Sequence, residues 1–331
     1  MKYKVLIIIL AGLLLVSLII NAVIIWGGDS SKQIGIIPIT DERYVYIAAY
    51  DDKALTQADN EGLQEFAKEY GVSVEMVAPS QFDTVEQARL LLEVIDSKPD
   101  GILISGWDSS LTPYVNNAVD AGIPTITVET DLPNSKRLSY VGTDWYDLGR
   151  RQADALASMI GESGTVAMLG LVGANSTDSG FAGFSDRMSQ YENVYVLEGF
   201  DDMGTVEEAF RITKQMLQDY DIKGIAGFDT NSGIGIAQAV KELGLQEQVK
   251  VTCVDMTPAH LKLLKEGSVQ KLFGQKRELF TYFGCKLLYD VNHNDLTITK
   301  EDGSNGVTNI PKKVGTGLIE VDAGNMDEFL D

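Results

Sequence analysis

The sequence predicts an α/β protein of two doubly wound, parallel-sheet lobes behind an N-terminal apolar segment. Three observations predict it. Short runs rich in Val, Ile and Tyr alternate with amphipathic helical runs, and strands separated by helices make βαβ units with right-handed crossovers. The strand-like runs form two sets of about five, which suits the roughly two domains that 331 residues allow. Polar side chains also gather just past the strand ends, where open parallel sheets bind their ligands.

The chain opens with Lys2 and Lys4, then runs without charge from Val5 to Trp26, interrupted by Ser17 and Asn21. A membrane span needs about 20 apolar residues. A cleaved signal has an apolar region of about 7–15 residues and an Ala-x-Ala-like site, which Trp26-Gly27-Gly28 is not. No cysteine follows to carry a lipid. Lysines before the span and Asp29 after it put residues 1–4 in the cytoplasm and the rest outside. Residues 5–26 are thus expected to be a transmembrane anchor and 27–33 a linker. The expectation is a single-pass cell-membrane protein with its binding domain extracytoplasmic.

The first set of strands is expected at Tyr44–Tyr50, Ser73–Val77, Gly101–Ser105, Pro124–Glu129 and Leu138–Gly142. The second is expected at Thr165–Gly170, Val194–Glu198, Ile222–Phe228, Lys250–Val254 and Val269–Phe273. Helical stripes run from Leu55 to Tyr70, Thr84 to Ile95, Trp145 to Ile160, Val206 to Gln218 and Gly233 to Leu243. Gly71, Gly122, Gly161, Gly244 and Gly267 stand where helices stop.

Composition excludes several functions. The net charge of −21 leaves no basic surface for nucleic acid. Cys253 and Cys285 match no metal or redox spacing and read as buried free thiols. His260 and His293 alone do not supply a metal centre or a Ser-His or Cys-His engine. No Asp-x-Asp-x-Asp loop is present, so neither metal nor cofactor is expected. An enzyme is not expected either, for want of an activated nucleophile or an acid–base pair beside a metal or phosphate loop.

The strand ends carry the binding chemistry. The first strand leads to Asp51, Asp52 and Lys53, the third to Trp107 and Asp108, the fourth to Glu129, Thr130 and Asp131. In the second half, Asn175 to Asp178, Asp229 to Asn231, Asp255, and Gln275 to Arg277 follow strands. Carboxylates and amides pair with a ring of hydroxyls, and an aromatic face covers the apolar side of a pyranose. Each Asp can equally be a helix N-cap, and Trp107 can equally be lobe packing.

Four stretches carry a family resemblance. They are Glu61-Gly62-Leu63-Gln64, Tyr140-Val141-Gly142-Thr143-Asp144 with Gly149, Cys253-Val254-Asp255-Met256-Thr257-Pro258, and Asn305-Gly306-Val307 with Ile310-Pro311. From about Tyr44 onward the chain resembles the periplasmic sugar-binding proteins of the ribose, xylose and autoinducer-2 group. The resemblance implies a type I periplasmic-binding-protein fold with a three-segment hinge. Residues 34–143 and 276–310 would form the N-terminal lobe, and 144–275 and 311–331 the C-terminal lobe. It implies ligand contacts at Asp52, Lys53, Leu55, Trp107, Glu129 and Thr130 in the first lobe, and at Asp178, Met203, Asp229, Asp255 and Gln275 in the second. The chain departs from the family where Gly180 replaces an Arg, where Glu129-Thr130 replaces Asp-Arg, and where Leu55-Thr56 replaces an aromatic pair. The ligand stays open among pentose- and hexose-like sugars, polyols and autoinducer-2. The anchor resembles that of xylose-sensing receptors, which implies a membrane sensor histidine kinase as partner. The other implied partner is an ABC permease.

Overall fold

The computed structural model describes residues 40–293, 298–299, 301 and 305–329. The expected anchor and linker lie outside these residues. Among the described residues no helix is long and apolar enough to cross a membrane.

The first sheet is built from β1 (Arg43–Ile47), β2 (Ser73–Val77), β3 (Gly101–Ser105), β4 (Thr125–Val128), β5 (Tyr140–Gly142) and β12 (Lys313–Gly315). Its order is β12-β5-β4-β3-β1-β2, and every pairing is parallel. The central strand β3, Gly-Ile-Leu-Ile-Ser, is buried throughout, as a strand covered by helices on both faces must be. Those helices are α1 (Lys53–Tyr70), α2 (Thr84–Asp96), α3 (Thr112–Asp120) and, from much later in the chain, α9 (Arg277–His293).

The second sheet contains β6 (Ser163–Gly170), β7 (Asn193–Val196), β8 (Phe200–Asp201), β9 (Ile222–Gly227), β10 (Lys250–Val254), β11 (Lys271–Gly274) and β13 (Ile319–Asp322). The order is β13-β11-β10-β9-β6-β7, with β8 paired to β6. Its helices are α4 (Trp145–Met159), α5 (Asn175–Met188), α6 (Val206–Asp219), α7 (Ser232–Glu242) and α8 (Pro258–Lys265). The expectation of purely parallel sheets needs a correction here, because β13 runs antiparallel to β11. With no helix between β12 and β13, the chain arrives at the sheet edge from the cleft end and turns back.

The chain passes between the sheets three times: after β5, after β11 and after β12. The last crossing differs from the expected boundary at 310. Lys313–Gly315 pairs with Tyr140–Gly142, so it belongs to the first lobe, and the crossing falls between 315 and 319. A three-residue strand flanked by glycine carries too little pattern to be read from sequence.

Local chemistry explains the helices that frame the cleft. Asp52 caps α1 by accepting from the N–H groups of Ala54 and Leu55, satisfying donors that have no intrahelical partner. Gly71 ends the helix with φ 67, a left-handed turn that glycine makes without steric cost. Gly62 does a different job. A Cβ there would stand 2.0 Å from the carbonyl oxygen of Glu278, so its absence lets α9 lie directly on α1. The first turn of α9 is thereby pinned beside Asp59, one turn earlier on the same face of α1.

Candidate ligand-binding site

In each sheet the chain builds outward from one strand, returns, and continues on the other side. The reversal falls between β1 and β3 in the first sheet and between β6 and β9 in the second. Such switch points open a crevice at the carboxyl ends of the strands. The two crevices face each other and enclose a cavity that offers about 60 Å³ to the centres of water molecules.

Aromatic rings form one wall. The rings of Tyr50 and Phe82 lie 4.1 Å apart, and Phe82 meets Trp107 edge-on at 5.0 Å. Trp107 is fixed by donating its indole N–H to Gln87 Oε1 at 2.7 Å, and buried Gln87 is held by the carbonyls of Ala48 and Ser105. Trp145, Phe228 and Val254 face this wall from the second lobe.

Charged groups form the floor. Arg277 Nε and Nη2 donate to Asp59 Oδ1 and Oδ2 at 3.0 and 2.9 Å. Its Nη1 lies 3.8 Å from Glu129 Oε1. Burial weakens the charge of Arg277, but Asp59 and Glu129 outweigh it and hold the guanidinium well above its ordinary pKa. Burial also raises both carboxyls, and the guanidinium pulls each back down. Two acids thus flank one cation on the floor.

Across the cleft, Asp255 accepts from the Thr230 hydroxyl at 2.6 Å and is nearly buried. Asp255 and Glu129 both hold positive φ, 74 and 67, which costs a residue with a side chain about 1–3 kcal/mol and is tolerated where a site needs it. Asp229 is differently placed. Its carboxylate accepts from the N–H groups of Leu171, Asn231 and Ser232 at 2.8, 2.8 and 2.9 Å. Behind it, burial and then repulsion from Asp229 push the Asp202 carboxyl up to about 9, and burial raises Asp229 as well.

Asn175, at the start of α5, spans the cleft mouth. Its Nδ2 donates to the carbonyls of Gly106 and Asp131 at 2.8 and 3.2 Å, and its backbone N–H to that of Trp107 at 2.8 Å. The lobes are therefore closed on each other.

Residues 44–294 match a periplasmic binding protein domain. The chain belongs to that family. It is 24% identical to the ribose import binding protein RbsB of Bacillus subtilis, over 70% of this chain and 75% of that one. It is similar in structure to AraP, an arabinose binding protein from Geobacillus stearothermophilus, at 29% identity and a TM-score of 0.76, covering 88% of this chain and 99% of that one. A sugar-binding protein of a sugar ABC transporter from Bacillus halodurans matches at 26% identity and a TM-score of 0.80, covering 87% and 100%. The family binds solutes and is not enzymatic. The α/β type I fold expected from the sequence is the fold of the family.

The structure brings six of the expected contacts of this periplasmic binding protein to the cavity: Leu55, Trp107, Glu129, Thr130, Asp229 and Asp255. Five do not line it, and each has a physical reason. Asp52 is spent as the cap of α1, and Lys53 beside it is exposed. Asp178 turns back to accept from the N–H of Gly173 at 3.0 Å. Met203 is 66% exposed, on a loop after β8. Gln275 lines a neighbouring opening of about 220 Å³ that shares Leu55, Asp255 and Arg277 with the cavity. Sequence reasoning missed Asp59, Phe82 and Trp145 altogether, and passed over Tyr50, Thr230 and Arg277 at or near strand ends.

The two second-lobe acids should separate by experiment. Asp229→Ala strands three backbone donors, which costs about 1–3 kcal/mol. The melting temperature should then fall by ~2–4 °C for each kcal/mol lost. Asp255→Asn keeps the Thr230 contact and tolerates the left-handed backbone, so it should spare stability and weaken sugar binding about tenfold or more. Titration calorimetry and thermal melts on both variants check this. A ligand-free melt lowered only by Asp255→Asn would reverse the two roles.

Proposed function

We propose that this periplasmic binding protein is an extracytoplasmic receptor that closes on one small neutral sugar of pentose or hexose size, or a sugar-like polyol. The observation that carries the reading is the pairing, within one closed cavity, of an aromatic wall with buried carboxylates from both lobes. Rings cover the apolar face of a sugar while carboxylates accept from its hydroxyls. Relatives named for ribose, arabinose and sugar transport support the same class. Closure would shift the population from open to closed lobes, with the ligand making contacts on both sides. Autoinducer-2 is the alternative ligand of comparable size.

A thermal-shift screen tests the ligand class. D-Ribose, D-xylose, D-arabinose, D-glucose, D-galactose, D-fructose, D-allose and autoinducer-2 are offered in turn. A ligand held at a hundred times its Kd adds about 2.7 kcal/mol to the folded state. The melting temperature should therefore rise by ~5–10 °C with at least one of them. No shift with any of them removes the sugar reading.

Occupancy is read by a membrane partner in this account. The uncharged stretch Val5–Trp26 supports an uncleaved tether and a sensor histidine kinase. The import-binding names of the relatives support a second reading, delivery to an ABC permease. N-terminal sequencing of the mature protein from host membranes discriminates the two. The tethered sensor requires Met1 to Trp26 to be retained in the membrane fraction. A mature chain that starts near Gly27 or later leaves only the importer.

A further inference from the structure

Beside the cavity a second opening passes between the first two turns of α1 and the loop after β10. It offers about 220 Å³ against about 60 Å³ in the cavity, and Leu55, Asp255 and Arg277 line both. The first lobe lines it with Ala54, Leu55 and Ala58, and the second with Met256, Pro258 and Ile319. Met256 packs directly on the end of β11, because Gly274 has no Cβ, which would stand 2.2 Å from the Met256 Sδ. Gln275 follows that strand and lines the opening but not the cavity. It is 9% exposed, and its Oε1 is buried with no hydrogen-bond donor among the described residues. A buried acceptor in that state is uncommon and costly, and it points to a donor that arrives with a ligand. At the rim, Lys276 Nζ stands 3.4 Å from Glu278 Oε1, so these two charges answer each other.

We propose that the ligand is a disaccharide: one ring sits in the closed cavity, and the unit linked to it extends past Leu55 and Arg277 into this opening, where one of its hydroxyls donates to Gln275 Oε1. The proposal rests on the sugar reading above and deepens it, since that reading fills the cavity alone. A second sugar unit brings what the opening asks for, an apolar ring face against small aliphatic side chains and a hydroxyl for the amide oxygen. An apolar substituent would leave Gln275 Oε1 unmet, and a carboxylate has no proton to donate to it. The paired charges at the rim match a neutral unit. A monosaccharide reaches none of these groups and leaves the opening to solvent. Ala54 and Ala58 determine specificity by being small, because a larger side chain at either position would narrow the passage.

The test is titration calorimetry on the full chain in detergent. The probes are D-glucose, D-galactose, D-xylose and D-ribose, their methyl glycosides, and the disaccharides cellobiose, maltose, lactose, melibiose and xylobiose. At least one disaccharide should bind wild-type protein about tenfold or more tightly than its parent monosaccharide. Ala54→Trp, on the exposed first turn of α1, should narrow the opening and weaken that disaccharide about tenfold or more, with the parent monosaccharide bound as before. Gln275→Leu, a side chain of similar size without the acceptor, should lower the ratio of disaccharide to monosaccharide affinity about tenfold. Thermal melts show which variants fold, and Gln275→Leu carries the test if Ala54→Trp does not. Monosaccharides bound with every glycoside and disaccharide rejected, or a preference for the disaccharide left unchanged in either folded variant, overturns the proposal alone. No binding of any neutral sugar by wild-type protein removes the sugar reading, and the proposal falls with it.

Discussion

Arg277 stands where the chain re-enters the first lobe, held by the Asp59 carboxylate and faced by Glu129. A charge taken out of water is stabilised only by partners arranged around it. The arrangement here draws on three distant parts of the chain: the middle of α1, the end of β4 and the first turn of α9. Thr281, one turn further along α9, donates to the Asp59 carbonyl at 2.7 Å, and Gly62 permits the approach. Deleting one partner of such a buried pair costs about 3–5 kcal/mol. The interaction therefore ties the second crossover to the sheet and sets the charge of the cavity floor in one step.

The two lobes solve the same problem at equivalent strand ends. Glu129 follows β4 and Asp255 follows β10, and each turns its carboxyl into the cavity by adopting positive φ. Each acid is anchored through one oxygen, by the Ser105 and Thr130 hydroxyls in one lobe and by the Thr230 hydroxyl in the other. Asp229 is held through both oxygens by backbone N–H groups, and burial and the Asp229 charge raise the Asp202 carboxyl beside it. Rigid aromatic and hydroxyl supports thus leave few polar valences to be met by a ligand. Asn175 then fastens the second lobe to the carbonyls of the first.

Much of this was legible in the sequence for a simple reason. Parallel strands covered on both faces read as apolar runs, and the residue just past such a run must face the crevice. That rule reaches Trp107, Glu129, Thr130, Asp229 and Asp255. It fails at Asp52 and Asp178, because a short acidic side chain after a strand serves a backbone N–H as readily as a ligand. It also says nothing of helix-borne groups. One signal was available: Asp59 falls on the buried stripe of α1 with Thr56, Gly62, Leu63 and Phe66. A carboxylate on an apolar stripe requires a cation from elsewhere, which points toward a buried Arg without saying which. The strands β8, β12 and β13, of two to four residues, were too short to declare themselves.

The central claim is that ligand hydroxyls complete the hydrogen bonding of the buried charges in the closed cleft. A crystal structure of the protein bound to its most stabilising monosaccharide tests this most directly. The account predicts the sugar ring in the cavity beside Trp107, with one hydroxyl within about 3.2 Å of both Glu129 Oε1 and Arg277 Nη1, and a second on Asp255. A sugar bound outside this cavity, or Glu129 and Arg277 closed on each other with no ligand atom between them, would contradict it.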